Sequence, residues 1–116
     1  MFAIDRGNPR ISDRYDVLAP GMLSFLHFLV ERCDKAGKPV SVCGEMAGRP
    51  LEAMALLGIG VRTLSMSAPS VGAVKAMIRS LNLPQLEDFM GELLVLPDHS
   101  LRDRLRAFAI DHQVAV

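Results

Sequence analysis

Two short strand-like runs lie on either side of a helix-length segment, and this arrangement limits the folds open to the chain. The runs are PVSVC at residues 39–43 and VRTLSM at residues 61–66, and residues 51–57 between them have a helical composition. A strand, a helix and a second strand in this order are typical of a βαβ unit with parallel strands. The sequence therefore predicts an α/β fold with a parallel sheet.

A long helix is predicted N-terminal to this unit, beginning near residue 22. Its apolar stripe at helical spacing consists of Met22, Phe25, Leu26, Leu29 and Cys33. Leu23, Phe28 and Val30 add apolar surface beyond the stripe, so we expect this helix to be covered on two sides. Gly37 is placed to end it.

Three more helices are predicted C-terminal to the second strand. Their expected buried faces are Val74, Met77, Ile78 and Leu81 in the first, Leu86, Phe89, Met90 and Leu93 in the second, and Leu101, Leu105 and Phe108 in the third. Asn82 and Pro84 are expected to end the first of these helices. Asp98 or Ser100 is expected to cap the last.

Two convincing strands are too few for a complete α/β sheet. Parallel strands are normally buried on both faces, and a two-stranded sheet leaves both of its edges open. We therefore expect part of a larger sheet, helix-rich and with two or three short parallel strands. A strand at residues 2–4, or another copy of the chain, is the alternative source of cover.

Composition excludes several classes of protein. The chain has 116 residues, which is enough for one domain. Its 13 basic residues balance 13 acidic ones, and the resulting net charge of zero argues against binding to duplex nucleic acid. Cys33 and Cys43 are too few for a disulfide framework, so we expect a reducing, cytoplasmic compartment. No apolar run reaches the length of a membrane span, and the histidines lack the spacing of a metal site. Neither nucleic acid nor a membrane is an expected partner.

Cys43 is the first candidate for chemistry, because it stands at the end of the first predicted strand and directly before Gly44. Ligands of α/β folds bind at the carboxyl ends of strands, and a thiol there can donate or accept a proton. The alternative is that Cys43 is a small buried residue of the core.

Three further side chains are candidates on their residue type. Arg6 carries a guanidinium suited to phosphate or carboxylate, although a solvated loop arginine is the alternative. Glu45 is either a base or orienting partner beside Cys43 or a carboxylate at a helix N-terminus. Ser65 either offers its hydroxyl at the same strand end or, with Ser67, caps the following helix.

Four segments in one order carry a specific resemblance: DRGN at 5–8, VCGEMAG at 42–48, LLGIGV at 56–61 and LSMS at 64–67. From residue 2 to about residue 110, the chain resembles the C-terminal part of Enzyme I, the phosphoenolpyruvate–protein phosphotransferase of the bacterial phosphotransferase system. The tail HQVAV at residues 112–116 favours the nitrogen-related paralogue.

The resemblance implies a fold, a reaction and partners. The fold would be the last part of a (β/α)₈ barrel that binds phosphoenolpyruvate and Mg²⁺ and mediates dimerisation. Cys43 would protonate the enolate to give pyruvate, and Arg6 would contact the phosphate and carboxylate of the substrate. Glu45 and Ser65, candidates on residue type and position, are added as supporting residues. The phosphoryl group would pass to the phosphocarrier protein HPr or its nitrogen-related counterpart.

The departures from the family are equally informative. The phosphorylated histidine, the two magnesium carboxylates, the other substrate arginines and about five or six of the eight barrel strands have no counterpart here. Arg49 stands where the family usually has an acidic residue. We therefore expect residues 1–116 to be the C-terminal portion of a barrel domain that is inactive in isolation, without its Mg²⁺ ligands, and prone to self-association.

Two other functions stay open at this point. One is a non-catalytic, self-associating interaction module. The other is a thiol-dependent hydrolase, which would need a histidine base near Cys43.

Overall fold

The computed structural model describes residues 16–97 and 100–116. Its elements are α1 (Pro20–Lys35), β1 (Ser41–Cys43), a 3-10 turn (Glu45–Gly48), α2 (Pro50–Gly58), β2 (Thr63–Ser65), α3 (Ala68–Arg79), α4 (Leu83–Leu93) and α5 (Arg102–Asp111). This order confirms the expected helix-rich α/β fold. The possible strand at residues 2–4 lies outside the described residues.

The strands β1 and β2 pair in parallel, as predicted. Cys43 lies opposite Ser65 at the carboxyl end of the pair, and Val42 lies opposite Leu64 in its middle. Val42 and Leu64 pack against the helical core, whereas the alternate side chains, Cys43 and Ser65 among them, are exposed on the other face. Because successive residues of a strand point to opposite faces, one face of this sheet is covered by helices and the other is open.

Helix α2 lies at the centre of the core and is buried on all sides. Its residues from Leu51 to Gly58 are all buried, and it contacts α3, α4 and α5. A nearly uniform apolar composition suits a helix with neighbours all around it. Gly58 allows the closest of these contacts, because a Cβ atom there would stand 2.5 Å from Cγ of Met90 in α4.

Helix α1 differs from the prediction. Met22 and Leu23 are buried, and Leu26 and Val30 pack against the core, but Phe25, Phe28 and Leu29 are 39%, 53% and 39% exposed. The expectation that α1 is covered on two sides is therefore wrong for the described part of the chain. The helix has enough apolar surface for two contacts, and the described residues supply a neighbour on one side.

The end of α1 was predicted correctly. Gly37 adopts a φ of +69°, and the amide of Lys38 donates to the carbonyl of Cys33 at 2.8 Å. A left-handed glycine just after the helix allows this closing hydrogen bond.

The faces of the last three helices follow the predicted spacing with one exception. Leu86, Met90 and Leu93 are buried in α4, and Leu101, Leu105 and Phe108 are buried at α5. In α3, Val74 and Met77 are buried, but Ile78 is exposed, because the contact of α3 with the core is narrower than its apolar stripe.

Side-chain hydrogen bonds support the starts of α4 and α5. Asn82 follows the end of α3 and its Oδ1 accepts the amide of Gln85 at 3.2 Å, so it also caps α4, in whose first turn Pro84 lies. Ser100 Oγ accepts the amide of Arg102, the first residue of α5, at 3.2 Å, but the N-cap position is Leu101, so the expectation that Ser100 is the cap is wrong by one residue. The other candidate for that cap, Asp98, lies outside the described residues.

A polar network ties the segment before α1 to α2 and α5. Arg102 Nη1 donates to Glu52 Oε1 at 2.6 Å, and Arg102 Nη2 donates to Asp16 Oδ1 at 3.1 Å. Asp16 also accepts hydrogen bonds from the hydroxyl of Ser100 and from the amide of Leu18. The network therefore joins three distant parts of the chain through one guanidinium.

In the described part of the chain, no helix is both long and apolar enough to span a bilayer.

Candidate functional site

A cavity of about 460 Å³ opens at the carboxyl ends of the two strands. It is formed by the ends of β1 and β2 and by the loops that follow them. Its lining residues are Cys43, Gly44, Glu45, Gly48, Arg49, Ser65, Met66, Ser67 and Ser70. Because Cys43 and Ser65 are paired in register, their side chains start from adjacent positions on the same face of the sheet.

Glycines shape the loop that closes one side of this cavity. Gly44 has a φ of +103°, a conformation that L side chains rarely adopt, and it turns the chain directly after Cys43. At Gly48, a Cβ atom would stand 3.0 Å from Oγ and 3.1 Å from Cβ of Ser70. Glycine at this position therefore lets the loop pack closely against the first turn of α3.

The Cys43 thiol is exposed at this site. The alternative that Cys43 is a small buried residue of the core is therefore wrong. Exposure leaves the thiol accessible to a ligand in the cavity, while its assignment as a proton donor stays a prediction.

Glu45 and Arg49 form an ion pair beside the thiol. Arg49 Nη2 lies 3.1 Å from Glu45 Oε2, with the side chains 56% and 70% exposed respectively. Glu45 begins the 3-10 turn, and Arg49 lies four positions later, directly before α2. The cavity thus holds one carboxylate and one guanidinium in contact with each other.

Three hydroxyl groups complete the polar lining. Ser65 ends β2, and Ser67 Oγ lies 3.3 Å from Ser70 Oγ. Ser67 precedes α3 but its side chain makes no capping hydrogen bond with that helix. The hydroxyls of Ser65, Ser67 and Ser70 therefore line the cavity as neutral groups able to donate or accept hydrogen bonds.

The structure brings three of the four predicted site residues together: Cys43, Glu45 and Ser65 line one cavity. Arg6 lies outside the described residues. Arg49 was noted in the sequence only as a departure from the family, and its spacing of four residues from Glu45 was the available signal for their pairing.

The two described histidines contact other residues outside the Cys43 cavity. The Nδ1 atom of His27 lies 2.9 Å from the carbonyl oxygen of Ile59, and its Nε2 lies 3.2 Å from Glu31, so both ring nitrogens have partners. The Nδ1 atom of His112 lies 3.0 Å from the carbonyl oxygen of Phe108. Neither ring lines the Cys43 cavity, so among the described histidines none is placed as the base of a thiol hydrolase.

The sequence profile of the family described as "PEP-utilising enzyme, PEP-binding domain" matches residues 1–83. Multiphosphoryl transfer protein 1 of Escherichia coli K12 is 40% identical over 82 residues, which are 71% of this chain and 10% of that protein. The protein named phosphoenolpyruvate-dependent phosphotransferase system of Salmonella typhimurium LT2 is 36% identical over 115 residues, 99% of this chain and 14% of its own length. The phosphoenolpyruvate-protein phosphotransferase of Buchnera aphidicola is 33% identical over 98 residues, 84% of this chain and 17% of its own length.

These matches cover a small part of each relative, because the chain spans between 10% and 17% of their lengths. The family profile, in contrast, covers more than half of the chain and includes every residue of the Cys43 cavity. The resemblance carried by the four sequence motifs is thereby confirmed, and the chain belongs to the family of PEP-utilising enzymes, in their PEP-binding domain.

Proposed function

We propose that the chain supplies one wall of the substrate pocket of a phosphoenolpyruvate–protein phosphotransferase. The observation that carries this proposal is the exposed Cys43 thiol at a strand end, inside a polar cavity that lies wholly within the family match. Cys43 would be the proton donor, Arg6 a substrate-binding residue, and Glu45 and Ser65 supporting residues.

The residue types suit the reaction. When the phosphoryl group of phosphoenolpyruvate is transferred, its O–P bond breaks and the enolate of pyruvate remains. The Cys43 thiol would donate its proton to the methylene carbon of that enolate, leaving pyruvate and a thiolate. The Arg6 guanidinium would offset negative charge on the phosphate and carboxylate of the substrate.

The chain is proposed to act as part of a larger barrel. The two described strands are far fewer than the eight of a (β/α)₈ barrel, and their open face carries the Cys43 side chain. Residues 1–116 would be the C-terminal portion of that barrel domain, and the remaining strands would cover the open face. Without them, the chain is expected to be inactive in phosphoryl transfer.

Mg²⁺ does not fit the described part of the cavity. Glu45 is the one carboxylate among its lining residues, and residues 16–97 and 100–116 contain no group of three or more side chains suited to hold a metal ion. The Mg²⁺ expected from the family would be held by other parts of the assembled enzyme. The proposed partners are phosphoenolpyruvate, pyruvate and a phosphocarrier such as HPr or its nitrogen-related counterpart, in the cytoplasm.

The inactivity of the isolated chain has a direct test. The chain is mixed with phosphoenolpyruvate, Mg²⁺ and a phosphocarrier protein, and pyruvate is measured with a coupled dehydrogenase. We expect no pyruvate above the level without the chain. Sustained pyruvate formation by the pure chain would show that it carries a complete active site.

The competence of the Cys43 site is tested in a chimera. The chain replaces the matching segment of the Salmonella relative, with which it aligns over 115 residues. The chimera is expected to form pyruvate, the Cys43→Ala variant to lose at least about 100-fold in rate, in line with the loss of a general acid, and the matched Cys33→Ser variant to keep its rate. Equal rates for the parent chimera and Cys43→Ala would contradict the proposal, as would a folded chimera without activity.

The exposed apolar face of α1 favours a second candidate, the self-associating interaction module. Phe25, Phe28 and Leu29 are exposed together on that helix, and large exposed apolar patches mark interaction surfaces. This function would not require Cys43, so the chimera experiment also separates the two candidates.

A further inference from the structure

We propose that Arg49 is an anion-recognition residue of the Cys43 cavity and that a bound anionic substrate replaces Glu45 as its partner. This inference rests on the proposed function, because it names a further specificity residue of the same pocket. It goes beyond the resemblance, in which an acidic residue usually stands at this position.

The composition of the cavity wall supports recognition of an anion. Among its described lining residues, Arg49 is the one cation, and the hydroxyls of Ser65, Ser67 and Ser70 are neutral hydrogen-bond donors. A guanidinium presents paired N–H groups whose planar geometry matches a carboxylate or a phosphate. Phosphoenolpyruvate carries both of these groups, so it belongs to the class of ligand that this wall would attract.

The ion pair with Glu45 is suited to exchange. Both side chains are more than half exposed, and ion pairs of this kind contribute little to stability because water and salt screen them. An anion that enters the cavity meets the Arg49 guanidinium in the same exposed setting as Glu45 does, so it competes with Glu45 on comparable terms. Glu45 therefore holds the guanidinium at the cavity and competes with the ligand for it.

The charge of residue 49 determines whether the cavity wall attracts or repels anions. An acidic residue in place of Arg49 would stand beside Glu45 and make the wall negative. With Arg49 present, the Glu45–Arg49 pair is neutral, and displacement of Glu45 leaves a positive charge on the cavity wall that Cys43 also lines.

Cys43 itself provides a probe of this charge. Its alkylation is followed in the full chain with iodoacetate, which is an anion, and with iodoacetamide, which is neutral and of similar size. Peptide mass spectrometry separates modification of Cys43 from that of Cys33. The ratio of the two rates at Cys43 then measures how strongly the cavity attracts an anion, independently of the reactivity of the thiol.

Three variants test the direction in which each side chain shifts the ratio of the two alkylation rates. At low salt, Arg49→Gln should lower the iodoacetate-to-iodoacetamide ratio about two- to fivefold, and Glu45→Gln should raise it by a similar factor. Arg79→Gln, which removes an exposed arginine of α3 outside the cavity, is the matched control and should leave the ratio unchanged. A ratio that is the same in Arg49→Gln and in the parent chain would overturn the inference.

Protection by ligands separates this inference from the proposed function. Phosphoenolpyruvate and inorganic phosphate are each expected to slow alkylation of Cys43, with the half-protecting concentration at least threefold higher in Arg49→Gln. Equal protection of Arg49→Gln and the parent by phosphoenolpyruvate would overturn the role of Arg49 and leave the proposed function standing. Protection by phosphate alone, dependent on Arg49, would overturn the proposed function and keep the anion site. If neither compound protects Cys43, the anion site is wrong, whereas the proposed function, which requires the remaining strands of the barrel, is then decided by the chimera.

Discussion

At the scale of single residues, the Arg102 guanidinium joins the buried Glu52 to Asp16. Glu52 is a buried carboxylate in a helix that is otherwise apolar, with its side chain 4% exposed, and Arg102 contacts it directly. A buried charge is tolerated when it is paired and hydrogen-bonded, and it is costly when its partner is removed. The contact therefore matters less as a source of stability than as a condition for burying Glu52.

Removing the guanidinium tests this dependence. We expect Arg102→Met to lower the free energy of unfolding by about 3 kcal/mol, because Glu52 would stay buried without a partner. The double variant Glu52→Leu with Arg102→Met should regain most of that loss. Arg106→Met, on the exposed side of the same helix, is the control and should change stability by less than about 0.5 kcal/mol. Urea unfolding measures all three, and a double variant no more stable than Arg102→Met would contradict this account.

Asp16 makes the same network sensitive to acid. Partial burial alone raises the pKa of Asp16, but hydrogen bonds from Ser100, the Leu18 amide and Arg102, together with the charge of Arg102, outweigh it and lower the pKa below its ordinary value of 3.8. Asp16 in turn contributes to the raised pKa of Arg102, where its hydrogen bond and that of Glu52 outweigh desolvation.

The sign of the pH dependence follows from this direction. The unfolded chain takes up a proton at Asp16 before the folded chain does, so the stabilisation is complete above pH 4 or so and is lost as the pH falls through the lowered pKa. We expect the free energy of unfolding to decrease below about pH 4 and to decrease less steeply in Asp16→Asn. Asp103→Asn, which removes an exposed carboxylate of α5, serves as the control. Parallel pH profiles for Asp16→Asn and the parent chain would argue against the role of Asp16.

At the scale of secondary structure, the close approach of α2 and α4 depends on Gly58. In Gly58→Ala, the added methyl group would collide with Met90 and press against Leu86, so we expect a loss of about 1–3 kcal/mol in the free energy of unfolding.

Gly72 is the matched control for this substitution. It lies within α3 with no heavy atom within 4 Å of its Cβ position, so Gly72→Ala should instead stabilise the protein by about 0.5–1 kcal/mol through helix propensity. Thermal unfolding distinguishes the two signs. Similar effects at both glycines would show that backbone entropy, and not packing, dominates at Gly58.

At the same scale, prediction from the sequence worked where a helix has one apolar face. The stripes of α4 and α5 each contain a single set of residues at the spacing of three and four, and these residues are buried apart from Phe89, which is partly buried against the core. Prediction failed in α1, whose Phe25 and Phe28 are as apolar as the buried Leu23. When most of a helix is apolar, spacing alone does not identify the face that meets a neighbour.

At the scale of the whole molecule, the described part of the chain has two uncovered surfaces, an apolar helix face and an open sheet face. One is the group of Phe25, Phe28 and Leu29 on α1, and the other is the open face of the two-stranded sheet, whose edges have no partner among the described residues. Exposed apolar patches and open strand edges both favour association.

We therefore expect the isolated chain to self-associate in a concentration-dependent way, measured by sedimentation velocity. Phe25→Ser with Phe28→Ser should weaken this association at least fivefold if α1 provides the contact, with association through the sheet remaining. A paired substitution of the exposed Lys75 and Arg79 on α3 to Ser is the control. A compact monomer at high concentration would show that neither surface drives association.

The sequence by itself determined the order of the elements, the parallel βαβ unit and the position of Cys43 at a strand end, because turn residues and side-chain spacing act locally along the chain. It also indicated the family, because four motifs of that family occur in the same order along the chain. Only the tertiary structure decided that α2 and not α1 is the central helix, that Arg102 pairs with Glu52 and Asp16, and that Arg49 faces the cavity of Cys43. Each of these depends on residues far apart in the sequence or on which of several equivalent faces meets a neighbour, and local patterns contain neither kind of information.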